Sequence, residues 1–105
     1  MFVKKYQFQI KSNDSEKYLG INKLAEKIYK KSGLIKTEVN LTKTGNLTDI
    51  ELLEYYESRD LFEKTLEKVN KDKEIKRLWK EFMKLVVDKK ITDDSFETIE
   101  MEQDL

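Results

Sequence analysis

One tryptophan, five tyrosines and a scatter of carboxylates are the side chains of this 105-residue sequence that could do chemistry. Trp79 offers a large apolar face and one N–H donor, which suits the floor of a pocket and stacking on a planar ligand. The same indole lies on the stripe Ile75, Leu78, Trp79, Phe82 and Val86, and that helical spacing favours a place in the core. Tyr6, Tyr29, Tyr55 and Tyr56 carry phenolic hydroxyls of the kind that pockets place sparingly among apolar walls. A tyrosine on a strand more often packs its ring and leaves its tip in water. Adjacent on a strand, Tyr55 and Tyr56 must face opposite sides. Tyr6, Phe8, Tyr29, Tyr56, Trp79 and Phe82 together form the candidate ligand-lining set.

The carboxylates are less specific. Glu51, Glu54 and Glu57 recur every third residue, a spacing that does not align them on one face of a strand. Asp93 and Asp94 are adjacent and fall near a loop. Calcium sites need several oxygens at defined loop spacings and usually a glycine at the sharp turn, which neither cluster has. A solvated charged surface is the plainer reading, and no metal site is expected. Gly20, Gly33 and Gly45 are isolated, so no phosphate-binding loop can be assembled. The sequence contains no histidine and no cysteine, which removes the common ligands of haem and iron–sulfur groups; no cofactor is expected.

Composition narrows the class further. Charged residues make up 40%, with 21 basic and 21 acidic side chains. That balance leaves no electrostatic footprint for nucleic acid or an anionic membrane. There is no apolar run of membrane-spanning length and no signal-peptide pattern, so the expectation is a soluble, cytoplasmic protein. The length suits one domain over residues 1–105. Abundant lysine and glutamate fit either a thermophile or an AT-rich genome.

The elements that must position these residues follow from periodicity. Val3 to Lys11 alternates, with Tyr6, Phe8 and Ile10 on one face and Lys5, Gln7 and Gln9 on the other, which predicts a half-buried strand. Ser12 to Ser15 is a polar break with N-cap candidates. Glu16 to Ser32 predicts a helix with the stripe Tyr18, Ile21, Leu24, Ala25 and Ile28, and Gly33 as a left-handed C-cap. Leu34 to Thr42 and Asp49 to Tyr56 predict two strands joined as a hairpin through Thr44-Gly45-Asn46. Ser58 and Asp72 can each cap a short helix, the first carrying Phe62, Leu66 and Val69 and the second the Trp79 stripe. Asp88 to Lys90 ends the pair, Ser95 to Met101 predicts a fourth strand, and Glu102 to Leu105 reads as a frayed tail. Strand, helix, strand, strand, helix pair, strand is the ferredoxin-like α+β order: a four-stranded antiparallel sheet with its helices on one face.

Tyr56-Glu57-Ser58 followed by Phe62, and then Asp72 with Trp79 in the broken helix, carry a resemblance. In these residues and in element order the chain resembles the dimeric α/β-barrel superfamily of antibiotic-biosynthesis monooxygenases, NIPSNAP-type proteins and haem-degrading monooxygenases. The resemblance implies homodimers that pack their sheets face to face, and a pocket between sheet and helices. It implies no catalytic residue here. The haem-degrading members use a histidine on the broken helix, absent from this chain, and a tryptophan near the position of Thr65. The quinone-forming members use tryptophan, asparagine and tyrosine, which match nothing here residue by residue.

On its opposite face the sheet mixes Lys5, Gln7, Gln9, Lys36, Glu38, Asn40 and Glu51 with Leu34 and Leu53. Such a face is either solvated or an interface with polar pairs across it; the resemblance favours the interface. RNA recognition on this scaffold needs exposed aromatics on strands one and three, and strand one exposes Gln7 and Gln9 instead. Three readings stay open. The protein holds a small apolar or aromatic molecule between sheet and helices, or is a cofactor-independent monooxygenase on an aromatic substrate, or is a dimerisation module without a ligand. Whether it is an enzyme is left open.

Overall fold

The computed structural model describes residues 1–99 and Met101. Its four strands are β1 (Phe2–Lys11), β2 (Lys36–Thr44), β3 (Leu47–Tyr56) and β4 (Thr92–Glu97). Three helices, α1 (Ser15–Lys30), α2 (Arg59–Val69) and α3 (Lys73–Leu85), pack on one face. The strands run in the order β2-β3-β1-β4, and all three pairings are antiparallel. This is the ferredoxin-like α+β architecture expected from the order of elements.

Local signals explain most of the boundaries. Gly45 and Asn46 form a two-residue loop between paired Thr44 and Leu47, and Gly45 supplies its positive φ of 62° without steric cost. The Ser58 hydroxyl accepts from the Leu61 N–H at 3.1 Å and starts α2. A carboxylate oxygen of Asp72 accepts from the N–H groups of Glu74 and Ile75, at 2.8 and 3.1 Å, and starts α3. Among the described residues no side chain caps α1; a 3-10 turn over Ser12–Asp14 leads into it, and the Ser15 hydroxyl donates back to the Ser12 carbonyl. Gly33 has a φ of 143°, open to glycine but not the left-handed helical value expected of it. A Cβ there would stand 2.5 Å from the Thr65 hydroxyl oxygen, so glycine also lets α2 approach the end of α1.

The core divides along the sheet. Phe8, Ile10, Tyr18, Ile50, Leu85 and Val86 fill one end, and Phe2, Leu34, Tyr56 and Phe62 the other. Between the helices, Val69, Ile75 and Leu78 pack against Ile21, Ala25 and Ile28 of α1.

Four expectations need correction. Trp79 is not core: it is 56% exposed. At 100° per residue, a helix that buries Leu78 turns Trp79 off the centre of the face. Leu24 is likewise exposed, because α1 buries the side carrying Tyr18, Ile21, Ala25 and Ile28. Leu34 lies before β2 and is buried against Phe2, Tyr56 and Phe62 instead of joining the outer sheet face. The last strand is Thr92–Glu97, starting three residues earlier than Ser95. Its place is set by the ladder to β1, from Phe2↔Glu97 to Gln7↔Thr92, and not by its own apolar residues. It is an exposed edge strand, and charged edges are how sheets discourage further pairing. The expected tail, Glu102 to Leu105, lies outside the described residues.

Candidate functional site

Strand parity builds the floor of the site. Tyr6 and Phe8 on β1 stand opposite Leu52 and Ile50 on β3, all on the helical face. Two residues further along, Lys4 stands opposite Glu54. Period-two alternation therefore sends Ile50, Leu52, Glu54 and Tyr56 inward together, placing a carboxylate beneath the helices. Glu54 is only 8% exposed.

Above this floor the helices leave a cleft of about 870 Å³. Tyr18, Ile21 and Tyr29 of α1 form one wall, and Leu78, Phe82 and Trp79 of α3 the other. The aromatic rings are in contact. Phe8 meets Tyr18 edge-on at 5.3 Å between centroids and Phe82 at 4.9 Å, and Phe82 in turn meets Trp79 at 5.5 Å. Five of the six residues expected to line a ligand site do line this cleft: Tyr6, Phe8, Tyr29, Trp79 and Phe82. Tyr56 does not reach it. Its fully buried ring packs edge-on against Phe62, which in turn meets Phe2, and its hydroxyl donates to Glu54 Oε1 at 3.0 Å. It supports the floor from behind.

Electrostatically, Glu54 dominates the site. Burial pushes its carboxyl up to about 7, against the opposing pull of the Tyr56 hydrogen bond and the positive charge of Lys4. The Lys4 ammonium turns away to Asp93 Oδ1 of β4 at 3.0 Å, and sits 5.6 Å from the Tyr6 ring and 5.8 Å from the Phe62 ring. Asp93, expected near a loop, is thus an inward-facing strand residue opposite Tyr6. The phenols of Tyr6 and Tyr18 are raised by burial first and by the Glu54 charge second, and Tyr29 is pushed up to about 12 by the same causes. All three stay protonated as hydroxyl donors near neutral pH. A carboxyl that titrates near 7 in an apolar cleft can hold or release a proton there, or face a cation.

Glu54 and Tyr18 are the site residues that motif reasoning misses. The signal for Glu54 is its parity with Ile50 and Leu52; spacing in threes along the acidic residues conceals it. Tyr18 reads in sequence as one member of the helix stripe, and its buried hydroxyl has no hydrogen-bond partner among the described residues. Among the described residues no cluster of three carboxylates could hold a metal ion.

The opposite face of the sheet pairs its polar groups laterally. Tyr55 donates to Glu38 at 3.0 Å, Asn40 to Glu51 at 3.1 Å and Gln9 to Asp49 at 2.7 Å, while Lys36 bridges to Glu38 at 3.2 Å. Val3, Leu53 and Phe96 share that face by register.

No protein-family model matches the sequence. No curated protein matches it either. Solved structures do match, over nearly the whole length. An uncharacterized NIPSNAP domain protein from Burkholderia xenovorans superposes with a TM-score of 0.70 at 13% identity, covering 99% of this chain and 100% of that one. A dimeric ferredoxin-like protein from an uncultured marine organism gives 0.70 at 21% identity, covering 99% and 100%. SnoaB, a cofactor-independent oxygenase from Streptomyces nogalater, gives 0.67 at 7% identity, covering 95% of each chain. At such identities the likeness is one of fold, and it is the fold that the resemblance in sequence implied.

Proposed function

We propose that the chain is a small homodimeric binding protein whose cleft between sheet and helices takes a small apolar or aromatic molecule. The observation that carries this reading is the cleft itself: about 870 Å³, open on an exposed tryptophan, walled by aromatic rings and floored by a buried carboxyl. Ligand sites are typically concave and mostly apolar, with a few convergent polar groups, and lie in this size range. Dimerisation is supported by the dimeric ferredoxin-like neighbour, and the outer sheet face is the contact surface assigned to it in this reading. It is also supported by the lateral polar pairs, because charges already matched within one subunit cost less to bury. Among the described residues, no helix is long and apolar enough to cross a membrane.

A second reading, a cofactor-independent oxygenase on an aromatic substrate, is favoured by the near-neutral titration of Glu54 at the cleft floor and by the likeness to SnoaB. The two readings share a site and part on turnover. Calorimetry with naphthalenemethanol, a neutral planar aromatic, tests the binding reading: saturable heat, reduced in Trp79→Ala and Phe82→Ala, is expected. No binding by folded protein at millimolar probe would overturn it. Light scattering is expected to give twice the chain mass, and a clean monomer at high concentration would remove the dimer.

A further inference from the structure

Glu54 is a buried acid without a direct ion pair among the described residues, the Lys4 charge reaching it only at longer range. Its Oε1 takes the Tyr56 hydroxyl, and among those residues it has no other hydrogen-bond partner and no ion pair. The nearest candidate, Lys4, is directly opposite in the ladder but turns its ammonium to Asp93. A buried ionised carboxylate left in this state is costly, and a cation brought to it recovers much of that cost. A second group in the same cleft is also unmatched: the Tyr18 hydroxyl is buried with no partner among the described residues. Both groups can accept an N–H. The rings of Tyr6, Phe8, Phe82 and Trp79 complete the walls, and aromatic faces attract cations through their quadrupoles.

We propose that the ligand of this cleft is an amine, with an apolar or planar body held by the aromatic walls and a cationic nitrogen held by Glu54 and the Tyr18 hydroxyl. This rests on the ligand-binding reading above and names the chemical class of its ligand. The other charged groups facing the cleft do not meet this demand. Glu26 of α1 carries Lys30 at 3.4 Å, and Asp93 of β4 is taken by Lys4. Lys76 and Lys80 of α3 are exposed at the mouth, and Lys89 donates to the Met83 carbonyl. Salt screens such exposed charges more than it screens a buried one. The α2 residue in the lining, Leu66, and Asn70 just beyond it are neutral. Because Glu54 is neutral when protonated, amine binding is tied to pH: the cation is welcomed above the carboxyl's titration and loses its partner below it.

A matched pair of probes tests this: naphthylmethylamine, cationic throughout the range used, and its neutral isostere naphthalenemethanol. With wild-type protein at about pH 8, the amine is expected to bind roughly tenfold more tightly than the alcohol. At about pH 5.5, where Glu54 holds its proton, the two are expected to bind within about twofold of each other. Glu54→Gln should abolish the preference at the higher pH while keeping alcohol binding. Tyr18→Phe, which removes only the hydroxyl, should reduce the preference and keep the fold. Equal binding of both probes by wild type at the higher pH overturns the amine assignment and leaves the ligand cleft standing. A preference that survives Glu54→Gln overturns it equally. Failure of both probes to bind removes the ligand cleft, and the amine with it. The wild-type pH comparison needs no variant to fold.

Discussion

Glu54→Gln should change how the stability of this protein depends on pH. In the folded chain the Glu54 carboxyl titrates near 7, raised by burial from an ordinary value of 4.5. Between those two values the folded chain holds a proton that the unfolded chain has released. Stability therefore falls as pH rises through that window. Below it both states are protonated and the penalty is absent; above it both are ionised and the penalty is complete. A difference of roughly 2.5 units at 1.36 kcal/mol each makes the penalty about 3 kcal/mol as an order of magnitude. That is a large share of the roughly 5–15 kcal/mol that holds a small domain together. The amide introduced by Glu54→Gln keeps an acceptor for the Tyr56 hydroxyl and cannot ionise. Urea unfolding followed by circular dichroism, from about pH 4.5 to about pH 8, should show wild type losing about 3 kcal/mol relative to the variant. The difference between the two proteins isolates this group from Glu38, Glu74 and Glu81, whose partners hold them below the usual carboxylate range. Parallel pH profiles would instead mean that the carboxyl is solvated and the floor of the cleft is wet.

Other substitutions read the scaffold. Trp79→Ala should cost only about 1 kcal/mol in thermal melts, not the roughly 3–5 of a buried ring, and wild-type emission should be red-shifted and easily quenched by acrylamide. Asp72→Ala removes the acceptor for two helix N–H groups and should cost about 1–2 kcal/mol in urea unfolding. Gly33→Ala meets both an unfavourable φ and the Thr65 hydroxyl, and should cost more than about 2 kcal/mol by the same measurement.

Features encoded locally were legible in the sequence. The caps at Ser58 and Asp72 and the turn at Gly45 each depend on a few neighbouring residues, and each lies where its signal places it. Asp72 caps α3 as its position before the Trp79 stripe predicts, and within α2 Lys64 pairs with Asp60 one turn away at 3.0 Å. Features set by distant partners were not legible. β4 takes its register from β1, which no pattern within Thr92–Glu97 discloses. Trp79 shows the limit of stripes: Leu78 and Trp79 are neighbours in sequence, and the packing of α3 on α1 decides which is buried. Within the site, the aromatic residues were readable by type. Tyr56 falls on the helical face, but lies behind the carboxyl that it supports. That Lys4 ion-pairs with Asp93 and not with Glu54 depends on where Asp93 falls, and so on that same β4 register.

Methyl-resolved NMR during a naphthalenemethanol titration tests the ligand cleft most directly. Saturable shifts are expected for methyl groups of Ile21, Leu52 and Leu78 and for the Trp79 indole N–H, all of which line the cleft. Leu53, on the opposite face of the sheet, should stay still. Shifts centred on Leu53, or none that saturate, would mean that the cleft is not the ligand site.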